Sequence, residues 1–167
     1  MLILKLYDYI LMLVFCLSIF ANKSLNSQQL PMKVSVYRKS HFNAAHRLHV
    51  ADWTDDKNQE VFGKCNMPNY HGHNYMMEVK LTGEIDTKTG YVMDLGKLKE
   101  IINEEVVERY DHRNLNLDLP EFKTLNPTVE NIAVAIFNRL RKRINEQLRL
   151  GLRLYETERN FVDIEED

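Results

Sequence analysis

Apolar and polar residues alternate from Lys33 onward, with Val34 and Val36, then Phe42, Ala44 and His46, falling on one side of a period of two. That spacing predicts a strand with one buried face, bounded by the polar cluster from Asp52 to Glu60. A second strand is predicted through His71, His73, Tyr75, Met77, Val79 and Leu81, closing near Gly83. Asp86 to Gly90 carries turn chemistry and Tyr91 to Met93 begins a third strand, so this pair reads as an antiparallel hairpin with a long loop. The period then changes. After Asp94, an N-cap residue type, Leu95, Leu98, Ile102, Val106 and Tyr110 recur at helical spacing on one face. A second helix is predicted with Asn126 as N-cap and Pro127 at the first helical position, followed by Val129, Ile132, Ala133, Ile136, Phe137, Leu140 and Ile144. Gly151 releases the chain into a last strand through Leu152, Leu154 and Glu156. The order β-β-β-α-α-β predicts an α+β domain, a four-stranded antiparallel sheet with both helices on one face. Its other face and its edges are then left uncovered, and oligomerisation is the natural outlet.

Composition narrows the partners. With 167 residues, 44% hydrophobic and 28% charged, the chain has the make-up of one soluble globular domain. A net charge of −2 writes in no general attraction to nucleic acid or acidic membrane, so a small, neutral or modestly charged partner is expected. Six Gly and four Pro are too few for a flexible linker or a Gly-rich phosphate cradle. Of the two cysteines, Cys16 lies in an apolar leader and Cys65 stands alone in the body, so no disulfide framework is available and a reduced, cytoplasmic body is expected. The apolar stretch from Tyr9 to Ala21 has the length of a signal-peptide core and falls short of the roughly 20 residues of a membrane span. The reading taken here is that residues 1–31 are upstream sequence outside the fold and residues 32–167 form a single domain that starts naturally at Met32. A secretory signal and a membrane anchor are the alternatives.

The strongest chemical signal is His71-Gly72-His73. Residues two apart in a strand project to the same face, so two imidazoles arrive side by side with Gly72 leaving the opposite face open. Such a pair can be an ordinary surface feature. A catalytic zinc site needs a third protein ligand and leaves a fourth position for water or substrate. His46 supplies it, because it shares the inward face of Phe42 and Ala44 while His41 points the other way. Cys65, six positions before His71, is open to two readings: a fourth ligand closing a structural site, or a thiol beside the metal for proton transfer, its pKa lowered by the cation and by Lys64. Asp111-His112 follows the first predicted helix. It reads either as helix termination or as the oriented base that a cysteine proton acceptor needs. Glu130, in the first turn of the second helix, has a structural default role at the positive end of the dipole. Glu156 falls on the apolar face of the last strand, where a carboxylate is costly unless a ligand with two adjacent N–H donors satisfies it, as the amino-pyrimidinone edge of a pterin or guanine does.

Taken as motifs, these residues resemble a known family. Phe42-Asn-Ala-Ala-His46-Arg-Leu, Phe62-Gly-Lys-Cys65-Asn-Met-Pro-Asn-Tyr-His71-Gly-His73-Asn-Tyr, Gly83-Glu-Ile-Asp, Asp111-His112-Arg-Asn-Leu-Asn, Pro127-Thr-Val-Glu130-Asn and Tyr155-Glu156-Thr are similar, in this order over about residues 33–163, to the 6-pyruvoyltetrahydropterin synthase / 6-carboxytetrahydropterin synthase family. The resemblance implies the tunnelling fold, in which the sheets of three subunits join into a barrel and two trimers stack into a hexamer. It implies zinc held by His46, His71 and His73, proton transfer by Cys65 with Asp111 and His112, and a pterin gripped by Glu130 and Glu156, in sites shared between subunits. The substrate it implies is 7,8-dihydroneopterin triphosphate. Loss of triphosphate gives the 6-pyruvoyl product; loss of acetaldehyde as well gives the 6-carboxy product used in queuosine synthesis. The five residues between Cys65 and His71 resemble the pyruvoyl branch, yet such spacers also occur on the deazaguanine route, and a bacterial-type leader favours that route. The first expectation is therefore the 6-carboxytetrahydropterin enzyme and the alternative is the 6-pyruvoyl one. A third is a zinc-containing binding or assembly module without turnover.

Overall fold

Two long strands, β1 (Lys33–His46) and β2 (His71–Glu84), pair antiparallel along their whole length, from Lys33 opposite Glu84 to His46 opposite His71. The computed structural model describes residues 32–166, and the leader expected over residues 1–31 lies outside them. Strand β4 (Arg149–Tyr155) takes the other edge of β2, and β5 (Phe161–Glu165) pairs antiparallel with β4. A two-residue strand, β3 (Arg113–Asn114), lies parallel to β1 at Ala44 and Ala45. The sheet therefore has five strands in the order β3-β1-β2-β4-β5, not four.

Tyr91 to Met93 is no strand. The turn predicted before it forms, with Gly90 N–H donating to the Asp86 carbonyl at 2.8 Å, but β1 and β4 already occupy the edges of β2. Val92 and Met93 pack on the core from an irregular segment. The polar cluster that bounds the first predicted strand holds a helix the sequence pattern did not predict, α1 (Asp55–Phe62), whose N-cap Thr54 accepts from the Lys57 N–H. Its one buried residue is Asn58, so no apolar stripe announced it.

Helix α2 (Leu95–Ile102) begins as predicted, with Asp94 Oδ1 accepting from Gly96 N–H at 2.7 Å and Lys97 N–H at 3.3 Å. It continues through a π turn, Asn103–Val107, into a last turn, Glu108–Tyr110. Helix α3 (Val129–Arg141) starts two residues later than expected: Thr128, not Asn126, is its N-cap and accepts from Asn131 N–H. Pro127 thus precedes the cap, which leaves its carbonyl free to point elsewhere.

The core lies between one sheet face and these helices. Phe42 of β1, Tyr75, Met77, Val79 and Leu81 of β2, and Leu150, Leu152 and Leu154 of β4 meet Leu98, Ile102, Val106 and Tyr110 on one side of the helical layer and Ile132, Ile136 and Leu140 on the other, all buried. Each such side chain contributes about 1.5–3 kcal/mol by leaving water, so this face fixes the register of β1 against β2. The opposite face carries ion pairs, Lys39–Glu78 at 2.8 Å, Lys80–Glu165 at 2.6 Å and Arg153–Asp163 at 2.6 Å, with Tyr37, Met76 and Phe161 exposed among them. Among the described residues no helix is long and apolar enough to cross a membrane.

Candidate metal centre and its surroundings

The antiparallel register assembles the histidines. His46 is the last residue of β1 and faces His71, the first of β2, while Ala44 faces His73, so all three imidazoles project on the core side at the open end of the strand pair. Ring centroids are 4.5 Å apart for His46 and His71, and 5.0 Å for His73 with either. One ring nitrogen from each lies within 4.8 Å of the others, and the Nε2 atoms of His46 and His71 are 3.0 Å apart. Tyr70, just before His71, has φ 63°, a left-handed conformation that a bulky residue adopts only when its surroundings impose it.

Electrostatics prepare the group for a cation. His46 Nδ1 lies 2.8 Å from the Pro127 carbonyl, which can only accept, so Nδ1 carries the proton and the lone pair of Nε2 faces the cluster. Burial pulls the His46 pKa down to about 4, against the Pro127 hydrogen bond and with help from the neighbouring imidazoles. Burial, then His73, also lowers that of His71. Both rings are neutral donors at neutral pH. His73 Nε2 is buried with no hydrogen-bond partner among the described residues, as is His71 Nδ1. A buried unpaired nitrogen is unfavourable unless something binds it, and three imidazoles converging on one point are the donor set of a transition-metal ion. The residues present fit a metal.

Glu156 stands one residue beyond β4, with Oε1 at 3.6 Å from His46 Nε2 and 3.8 Å from His73 Nε2. These separations are too long for hydrogen bonds, so the carboxylate keeps its acceptor capacity for another donor. Cys65 is half-buried in the 3₁₀ turn Gly63–Asn66 and does not join the three nitrogens. Lys64 and a cation were expected to lower the thiol's pKa; in the protein alone burial, then the Glu156 carboxylate, push it up.

Asp111 and His112 sit where α2's last turn meets β3. Asp111 Oδ1 accepts from the Asn43 backbone N–H at 2.7 Å, which holds its carboxyl below the usual range, and Oδ2 lies 2.8 Å from His112 Nδ1. His112 has φ 57° and an exposed ring, with Nε2 left open. No hydrogen bond joins this pair to Cys65, yet a shallow depression of about 400 Å³ has both His73 and His112 in its wall. Glu130 is exposed in the first turn of α3 and makes no hydrogen bond with the described residues. Sequence reasoning missed the Pro127 carbonyl, because nothing local marks a backbone oxygen as the partner of a side chain 81 positions away.

A family model described as 6-pyruvoyl tetrahydropterin synthase matches residues 35–167. The chain belongs to the 6-pyruvoyl tetrahydropterin synthase family. Human 6-pyruvoyl tetrahydrobiopterin synthase is 42% identical over 130 residues, 78% of this chain and 90% of that protein. A dihydroneopterin monophosphate aldolase from Pyrococcus furiosus is 36% identical over 135 residues, 80% of this chain and 99% of its own length. Among solved structures, 6-pyruvoyl tetrahydropterin synthase from Caenorhabditis elegans superposes with a TM-score of 0.76 at 40% identity, covering 81% of this chain and 97% of that one. The Plasmodium vivax synthase, at 18% identity and a TM-score of 0.60, shares the fold. The tunnelling fold expected from the resemblance stands, with one strand more than expected, and so does the expectation of an enzyme, a lyase of the tetrahydropterin synthase family.

Proposed function

We propose that this synthase-family chain is a zinc-dependent 6-pyruvoyl tetrahydropterin synthase, eliminating triphosphate from 7,8-dihydroneopterin triphosphate. The observation that carries the proposal is the group of three imidazoles with a buried nitrogen on His73 unpaired among the described residues, in a chain with several relatives named for this reaction. The names of those relatives favour the 6-pyruvoyl product over the 6-carboxy product preferred from sequence.

His46, His71 and His73 would hold the ion, and three protein ligands suit a catalytic zinc. When bound, the ion supplies Lewis acidity toward the hydroxyls of the substrate side chain. Glu156, with free acceptor capacity beside the histidines, accepts the paired N–H donors of the pterin edge, joined by Glu130. Cys65 takes a proton from a side-chain carbon and His112, steadied by Asp111, returns one to the ring. The side chain is oxidised as the ring is reduced, so no outside electron donor is required. We propose that the working form is a homo-oligomer, a hexamer of two trimers, which covers the exposed sheet face and edges and brings Asp111 and His112 of one copy toward Cys65 of another.

A second reading keeps the same residues but adds carbon–carbon cleavage, and the aldolase relative favours it. Incubation of the metal-loaded protein with 7,8-dihydroneopterin triphosphate separates the two. Triphosphate and a 6-pyruvoyl tetrahydropterin without acetaldehyde are expected; acetaldehyde in step with triphosphate would hand the chain to the 6-carboxy reaction.

A further inference from the structure

Arg47 follows the ligand His46, and Asn66 follows the thiol Cys65; the two side chains are bound to each other. Arg47 Nε donates to the Asn66 carbonyl at 2.8 Å, and Arg47 Nη2 donates to Asn66 Oδ1 at 2.9 Å. His49 Nδ1 closes the group at 2.9 Å from the same Oδ1 and 3.2 Å from Nη2. Asn66 is 6% exposed, so these bonds are made largely out of water, where losing one partner is costly. The backbone of Arg47 is itself fixed: its N–H donates to Asn116 Oδ1 at 2.8 Å and its carbonyl accepts from Asn116 Nδ2 at 3.0 Å. The next residue completes the attachment, with Leu48 N–H donating to the Cys65 carbonyl at 2.8 Å. Between these anchors the chain makes a largely exposed excursion through α1.

An arginine beside the site invites a role as a contact for the substrate's phosphates. The geometry argues otherwise, because the Nε and Nη2 edge of the guanidinium is already engaged by both oxygens of Asn66. We infer that Arg47 is a positioning residue: through Asn66 it fixes the turn that carries the Cys65 sulfur relative to the three-histidine group. The inference rests on the proposed role of Cys65 in proton transfer. Lysine cannot replace the planar fork, since one ammonium does not present two fixed donors to two oxygens.

The test compares Arg47→Lys and Asn66→Ala with the wild type as metal-loaded enzyme, reading metal content, kcat and KM for 7,8-dihydroneopterin triphosphate, and the rate of Cys65 alkylation by iodoacetamide. Cys65→Ala supplies the background from Cys16. Both variants are expected to keep their metal, to lose kcat by roughly 10- to 100-fold with little change in KM, as a misplaced reacting group does, and to alkylate faster at Cys65. A raised KM with unchanged kcat in Arg47→Lys, beside a normal Asn66→Ala, overturns the inference and makes Arg47 a phosphate contact. Metal lost in step with activity overturns it in favour of a support for His46. Full turnover by Cys65→Ala would instead defeat the role given to the thiol, whereas unchanged alkylation in both variants defeats the clamp itself.

Discussion

His46 shows how much one residue's setting decides. Its ring is buried, its Nδ1 is bound to the Pro127 carbonyl, and its pKa is pulled down to about 4 by burial, so it enters the cluster neutral and correctly turned. The periodicity of β1 revealed that it faces inward, and the His-x-His spacing of β2 revealed its two companions. What fixes its tautomer was not legible, since Pro127 reaches it only through the docking of α3. His71→Ala should strip the protein of metal, measured as bound zinc per chain, because two imidazoles do not make the site; full retention would remove the metal from the proposed mechanism. Cys65→Ala should behave oppositely, with metal content unchanged and turnover reduced by about 10²- to 10⁴-fold, the usual contribution of a general acid–base group. If metal leaves with the thiol, Cys65 is a ligand after all.

Elements are held by ties that periodicity does not display. The π turn after α2 carries Glu104 and Glu105, and Glu105 bridges Arg139 Nη2 and Arg143 Nη1, each at 2.6 Å, so the turn is locked to α3 and the chain just beyond it. The hydrogen bond from Arg143, opposed by burial and helped by Arg139, holds the Glu105 carboxyl below its ordinary value of 4.5. A depressed carboxylate contributes stability that is fully present above its unfolded pKa and is lost as pH falls through the folded one. Glu105→Gln should therefore lower Tm at neutral pH, and its difference from the wild type should shrink as pH falls below about 4.5; melting curves that stay parallel down to pH 3 would discount the tie. The same reasoning explains the elements the sequence pattern misplaced. Helix α1 is polar and depends on the Thr54 cap and on Asn58, whose Nδ2 donates to the Val50 carbonyl at 3.0 Å. Strand β5 is short and, among the described residues, pairs only with β4, with alternate residues exposed, so its pattern is weak. Tyr91 to Met93 has strand-like residues but no free edge of β2 to join.

Seen as a whole molecule, the sheet is covered on one face by helices and on the other by nothing among the described residues. The ion pairs and exposed aromatics of that second face match a surface arranged around water and other copies more than a buried layer. If a site takes Cys65 from one copy and His112 from another, Cys65→Ala and His112→Ala proteins, each inactive, should recover activity when refolded together. A 1:1 mixture should reach about a quarter of the wild-type rate, since random pairing at a heterologous contact leaves that share of sites intact. No recovery would place the whole site within one chain. The α+β class and the helical layer were legible from the order of the elements, because α2 and α3 each show an apolar stripe. The missing cover was legible only as a surplus of uncovered sheet.

The pairing of His46 with His71 at the mouth of the two long strands also makes a bound ion a crosslink. It ties the two ends of the excursion that carries α1 and Cys65, as a disulfide would close a loop, and so reduces the conformational freedom the unfolded chain can gain there. Chelation should therefore expose that excursion to proteases while the helical core stays resistant, and changes in its length can be absorbed without moving a single ligand.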